Sequence, residues 1–217
     1  IICYLTFPVA NRQLMKMAKR VMPVNSFSIF FVLLKKALLF WEKNEHILNL
    51  DKFTRYSLFS QSKYLEHTCD KTSIHFTKNE KEKGSELIKQ FGLKNGDKWI
   101  CIHNRDPVYL NKTFPHRNWS YHDHRDFSVN SMKSAAGFFV SKGYFVFRMG
   151  YLVNEKLISE NSKIIDYAKS SLRSDFLDIY LLANCEFYFG SDSGIMSIPF
   201  IFNKFCYGVN HYPRLHD

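Results

Sequence analysis

The sequence predicts an α/β fold, a parallel sheet flanked by helices, on three observations. Short apolar runs of strand length alternate with helical stretches from residue 98 onward, the pattern of βα units. Hydrophobic residues make up 46% of the 217 and charged residues 23%, enough apolar chain for a real core. Finally, 21 Phe and 12 Tyr stand against 9 Gly and 6 Pro, a balance that favours packed helices and strands over a loop-rich scaffold.

The elements follow in order. Residues 1–7 (IICYLTF) read as a short buried strand, and 11–22 as a helix with Leu14, Met15, Ala18 and Val21 on one face. Pro23 and Asn25 break it, and Ser26 is placed to cap an apolar helix running to about Glu42. The segment 44–76 is mixed, with a short helix expected near 50–58. Thr77-Lys-Asn-Glu80 has the form of a capping box and starts a charged helix to Phe91, closed by Gly92. Strands are expected at 98–103 (KWICIH), 144–148 (YFVFR), 163–167 (KIIDY), 186–189 (EFYF) and 205–209. Helices are expected at about 128–141, 175–183 and 193–202, the second with Phe176, Ile179, Tyr180 and Leu182 inward. A long polar loop separates the first of these strands from the first of these helices. The domain division falls in the 75–97 region and is drawn as 1–96 and 97–217.

Composition narrows the function classes. Cys3, Cys69, Cys101, Cys185 and Cys206 are scattered without CxxC spacing, so they read as buried free thiols in a reducing, cytoplasmic compartment. The net charge is +10, and residues 1–96 hold 16 Lys/Arg against 8 Asp/Glu, so the basic excess sits early in the chain. Such a face suits anionic lipid or a polyanionic acceptor, with solvated basic helix faces as the plain alternative, and the expected location is the cytoplasm, at the inner face of the membrane where lipid is the partner. Nucleic acid is disfavoured, because most aromatics lie in apolar runs rather than interleaved with cations. The most apolar stretch, 26–41, is interrupted by Lys35 and Lys36 and falls short of a bilayer span. The chain opens on Ile1 and ends on a polar tail, which reads as an excerpt of a longer polypeptide.

Four clusters carry candidate chemistry. Gly190-Ser191-Asp192-Ser193-Gly194 links a predicted strand to an apolar helix, and in an open α/β sheet ligands bind at the carboxyl ends of strands. Free backbone N–H groups and a positive helix end there suit a phosphate or diphosphate; a capped turn without ligand is the plain alternative. Arg105, in the run Ile102-His103-Asn104-Arg105-Asp106, leaves the strand 98–103 at the same edge, and a guanidinium matches phosphate oxygens bidentately. Its plain alternative is a surface pair with Asp106. Tyr121-His122-Asp123-His124-Arg125-Asp126 offers Arg125 to an anion and His124 or Asp126 as acid or base, or Asp126 or Ser128 as a helix cap; the further ligand a zinc site needs is missing, so no metal is expected. Arg148, in Phe147-Arg148-Met149-Gly150, again follows a buried strand. Three strand ends offering anion-binding groups are the strongest indication of one shared site.

Over about residues 98–210 the blocks IHNRDPVYL, YHDHRDFSVNSM, KGYFVFRMG and RSDFLDIYLLANCEFYFGSDSGIMSIPFIF resemble, in order, a family of glycosyltransferases from bacterial surface-polysaccharide clusters. The Asp-Ser-Gly turn is also similar to the donor-domain turn of heptosyltransferases, and the His-x-Arg element to that of fucosyltransferases. The resemblance implies a GT-B architecture, two Rossmann-like domains with the C-terminal one gripping a nucleoside-diphosphate sugar, and a glycan or lipid-linked acceptor. It implies no metal or cofactor. Residues 97–217 would then be most of the donor domain and 1–96 an acceptor-side remnant, shorter than such a domain needs. On this reading Arg105, Arg125 and Arg148, with Ser191, Asp192, Ser193 and Gly194, bind the diphosphate. Asp126, His124 or Asp106 deprotonates the acceptor, with Asp126 slightly favoured. A non-catalytic nucleotide or polyanion-binding module of the same fold is the alternative.

Overall fold

The computed structural model describes residues 3–4, 9–21, 24–25 and 74–210. The helices expected at 26–42 and 50–58 lie outside the described residues. Internal contacts divide the chain into two compact units, Ile1–His75 and Phe76–Asp217.

The first unit holds a small βαβ arrangement. Strand β1 (Cys3–Tyr4) pairs in parallel with β2 (Val24–Asn25), and helix α1 (Arg12–Val21) lies between them in sequence. The Asn11 side chain caps α1 by accepting from the Leu14 amide at 2.9 Å. Its buried side chains are Gln13 and Met17, whereas Val21 is 39% exposed. The inward face is therefore rotated from the one the apolar periodicity predicts: Met17 is the anchor, and Leu14, Met15 and Ala18 are only half-buried.

The second unit contains α2 (Lys78–Lys89), β3 (Trp99–His103), α3 (Val108–Thr113), α4 (Lys133–Ser141), β4 (Phe145–Arg148), β5 (Ile164–Ile165), α5 (Asp175–Asn184), β6 (Phe187–Gly190), α6 (Ser197–Ile201) and β7 (Phe205–Gly208). The five strands β3–β7 form one sheet in the order β5-β4-β3-β6-β7, every pair parallel. The chain thus builds outward from β3 in one direction, then returns to build outward from β6 in the other. That is a Rossmann-like, doubly wound order, and its switch point lies between β3 and β6.

Side chains alternate across the strands, so the sheet has two packed faces. On one, Ile100, Ile102 and Val146 pack with Val129, Met132 and Ala136 from α4 and the 3₁₀ turn before it. On the other, the Trp99 indole donates to the Leu181 carbonyl of α5 at 3.0 Å, and Phe147 meets the rings of Phe91 and Tyr167 edge-on. Helix α5 is buried almost all round, from Phe176 and Leu177 through Ile179 to Ala183, which explains why its sequence is apolar on every side. Helix α2 crosses it closely: Gly84 lies so near Tyr180 that a Cβ at Gly84 would enter the ring.

The capping box forms as its spacing predicts, with the Thr77 hydroxyl accepting from the Glu80 amide and the Thr77 amide donating to the Glu80 carboxylate at 2.9 Å. Gly92 then turns the chain with φ +86°. Two departures stand out. The expected polar loop after β3 contains α3 and a 3₁₀ segment, Ser120–Arg125. The single helix expected over 193–202 divides into a 3₁₀ turn, Gly194–Met196, and the five residues of α6.

Candidate functional site at the sheet switch point

The carboxyl ends of β3 and β6 meet at the switch point. His103 and Gly190 are register partners there, and the Ser191 amide donates to the His103 carbonyl at 3.0 Å. A Cβ on Gly190 would collide with the His103 carbonyl and lie 2.9 Å from its nitrogen and from the Tyr188 hydroxyl, so only glycine fits. The following turn is held from below by the Tyr188 hydroxyl, which donates to the Ser191 carbonyl at 2.9 Å. Ser191 is fully buried, and its hydroxyl has no hydrogen-bond partner among the described residues. At Gly194 an added Cβ would meet nothing within 4 Å, so the fold does not demand a glycine.

The segment after β3 folds over this turn. Arg105, 7% exposed, forms an ion pair with Asp126 and donates to the His122 carbonyl at 3.2 Å. Arg105 and Asp126 also form an isolated parallel β-bridge, and the Phe127 amide reaches the Arg105 carbonyl at 3.4 Å. Burial pushes the Asp126 carboxyl above its ordinary value, against the attraction of Arg105 and helped by repulsion from Asp123 and Asp106. Arg125 bonds the His122 ring nitrogen and donates to the Asp192 carbonyl at 3.2 Å, with the Asp192 carboxylate 3.7 Å away. It therefore bridges the loop of β3 to the turn of β6 directly over the switch point.

Arg148 reaches the same edge but is fully buried. Its guanidinium donates to Asp166 at 3.2 Å, to the Glu155 carbonyl at 3.3 Å and to the Asn104 side chain at 3.1 Å. Asn104 in turn donates to the Phe127 carbonyl at 2.9 Å. Its bonds fix the loops that follow β3, β4 and β5, and no face of the guanidinium is open to a ligand. His103 lies between these cations. Burial, and then the charges of Arg148 and Arg105, lower its pKa to about 4, so the ring is neutral near pH 7. Its Nδ1 lies 3.1 Å from the Met149 carbonyl, which selects the tautomer protonated there and leaves Nε2 as an acceptor.

A cavity of about 250 Å³ opens beside this network, lined by Asn104, Asp106, Pro107, Asp126, Phe127, Asn154 and Glu155. Asp106 accepts from the Val108 amide at 3.0 Å and the Asn154 amide at 3.1 Å, so it ties α3 to the loop after β4. It does not pair with Arg105, because Asp126 takes that role, and Ser128 rather than Asp126 caps the turn at Val129–Met132. His124 stands exposed on the Ser120–Arg125 segment. Among the described residues no group of His, Cys, Asp and Glu could hold a metal ion, and no helix is long and apolar enough to cross a membrane.

The structure thus brings Arg105, Arg125, Asp126 and Asp192 into one network and places Asp106 on the adjoining cavity. Arg148 joins it only through Asn104. Sequence reasoning missed Asn104, His103 and Asp166 as members. Their signal was position: each stands at or just past a strand end, where Asn104 and Asp166 accept from Arg148 and His103 contacts the Met149 carbonyl.

Fold and site together define a class, a doubly wound α/β domain whose cationic side chains converge on the crevice where its sheet reverses. No family model and no curated protein matches the chain. Among solved structures it is similar to a glycosyl transferase family 9 protein from Veillonella parvula DSM 2008, with 15% identity and a TM-score of 0.44. That match covers 73% of this chain and 44% of the other, so the chain spans less than half of that structure's length.

Proposed function

We propose that the protein is a glycosyltransferase that moves a sugar from a nucleoside-diphosphate donor to a hydroxyl of a glycan or lipid-linked acceptor in surface-polysaccharide synthesis. The observation that carries this reading is the Arg125–Asp192 bridge over the switch point, with Arg105 beside it. Ligands of open parallel sheets bind at such a point, and two guanidinium groups there suit a leaving diphosphate. Their role is to stabilise charge that builds as the glycosidic bond to the diphosphate breaks, without a metal. Backbone amides of 192–194 add donors, and the bare Gly194 leaves room for close approach. Arg148 acts through Asn104, holding the loop that carries Arg105. The cavity beside Asp126 receives the acceptor hydroxyl, and the raised pKa of Asp126 suits it to remove that proton. The basic excess of residues 1–96 draws the protein to the anionic inner face of the membrane in the cytoplasm.

A thermal-shift screen with GDP-, UDP-, ADP- and CMP-sugars tests this, because a ligand that binds only the native state raises its apparent stability. One nucleoside-diphosphate sugar should raise the melting temperature and be consumed in the presence of acceptor. Stabilisation by none of them removes the proposal.

One observation favours a second reading, a binding module without turnover. Arg105 and Asp126 neutralise each other. A domain that kept its ligand and lost its chemistry would bind the donor and release no nucleotide.

A further inference from the structure

Between α3 and Arg125 the chain sets four aromatic rings in a row at the rim of the crevice. Phe114 and Trp119 lie 6.0 Å apart, Trp119 and Tyr121 6.1 Å, and Tyr121 and His122 3.9 Å. The Trp119 and His122 rings are nearly parallel, 12° apart at 6.1 Å. The Arg117 guanidinium stands 5.9 Å from both the Phe114 and the Trp119 rings. Rings of this size ordinarily go into a core, yet Tyr121 is 56% exposed and Trp119 only partly buried. The row is also fixed in place. The Trp119 indole donates to the Phe114 carbonyl at 3.2 Å, and His122 accepts from Arg105 through its carbonyl and bonds Arg125 through its ring.

Resting on the donor-binding reading above, we propose that Trp119 and Tyr121, with Arg117 beside them, form the stacking surface for the nucleobase of the bound nucleotide. Exposed aromatic faces bind bases of any sequence, because every base has a π-face, and a neighbouring arginine adds a cation–π contribution. His122 is what decides for a base rather than a sugar ring. It belongs to the aromatic row and also bonds both guanidinium groups, so the row runs up to the diphosphate-binding cations. A nucleotide likewise joins its base to its phosphates, through the ribose. Two other exposed rings carry a cation, Tyr151 with Arg173 at 4.2 Å in the loop after β4 and Phe138 with Lys142 at 5.4 Å on α4, and neither belongs to the row that His122 joins.

The experiment is calorimetric titration of the full chain with UDP, GDP, ADP, CDP and inorganic pyrophosphate. At least one nucleotide should bind more tightly than pyrophosphate to the native protein. Trp119→Ala and Tyr121→Ala should each weaken that nucleotide roughly tenfold while leaving pyrophosphate affinity unchanged. Trp119→Phe, which keeps a ring, should retain most of the affinity and guards against a loop that simply unfolds. A nucleotide bound no better than pyrophosphate overturns the platform and leaves the donor site standing. Unchanged nucleotide affinity in both alanine variants, or a parallel loss of pyrophosphate, does the same. A native protein that binds none of the five probes overturns both.

Discussion

Arg125 holds Asp192 twice, by a hydrogen bond to its carbonyl and by the approach of its guanidinium to its carboxylate. On the proposed donor-binding reading the carboxylate occupies the place of the anionic ligand, and binding would exchange one anion for another.

Asp192→Asn should consequently strengthen pyrophosphate and nucleotide binding several-fold, since the competing charge is gone. Arg125→Ala should abolish it, and Arg125→Lys should restore only part, because an ammonium cannot make the forked contact. Titration calorimetry of the three variants decides this; weaker binding by Asp192→Asn would show that the carboxylate belongs to the ligand site.

Arg105 and Asp126 form a pair that is largely shielded from water, 8% and 18% exposed at the side chains. Removing one partner strands the other's charge. Asp126→Ala should cost about 3 kcal/mol in denaturant unfolding, and the double variant Arg105→Met/Asp126→Leu clearly less than the sum of its parts. Additive losses would mean that the two side chains do not interact.

Most of the fold was legible in the residues, and the reason is periodicity. Runs such as KWICIH and YFVFR are too short and too apolar for anything but central strands, and the Thr77–Glu80 box marks a helix start by chemistry alone. The face of α1 was misread because Gln13 and Met17 fill the buried positions while Leu14 and Met15 do not, so hydropathy pointed a quarter-turn away. Helix α3 was hidden because Val108–Thr113 is a single turn and a half with a proline, which offers no side-chain cap, at its N-cap. At the site, residue types gave the cations but not their partners. Whether Arg105 meets Asp106 or Asp126 depends on a 21-residue excursion that no local pattern encodes.

His103 supplies a pH prediction. Its pKa is lowered from 6.5 to about 4, so between these values the unfolded chain binds a proton that the folded protein refuses. Stability should fall as pH drops from about 6.5 toward 4, by up to about 1.4 kcal/mol per pH unit. Asp178 works the other way. Burial, despite Arg173 and Tyr167, raises it to about 6, so folding gains from its protonation as pH falls below 6. Native protein should show a shallow pH dependence over this range. His103→Asn, which can still donate to the Met149 carbonyl, should become more stable toward pH 4 relative to pH 7; urea unfolding across the range reads the change.

Gly84→Ala sets helix propensity against packing. Alanine favours a helix interior by about 1 kcal/mol over glycine. Here the new methyl would enter the Tyr180 ring, and overpacking of that kind costs about 1–3 kcal/mol. A lowered melting temperature is expected, and Tyr180→Leu in the same chain should recover part of it.

A helix with so little solvent face as α5 must be enclosed by its own neighbours, and this has a practical consequence for where the chain can be divided. α5 is covered in part by Phe76 and α2, whose residues precede the sheet in sequence. A fragment cut at residue 97 would strip that cover and turn the flank of Phe176 and Tyr180 into a sticky, aggregation-prone surface. One cut just before Phe76 would carry its own lid and remain dispersed in water.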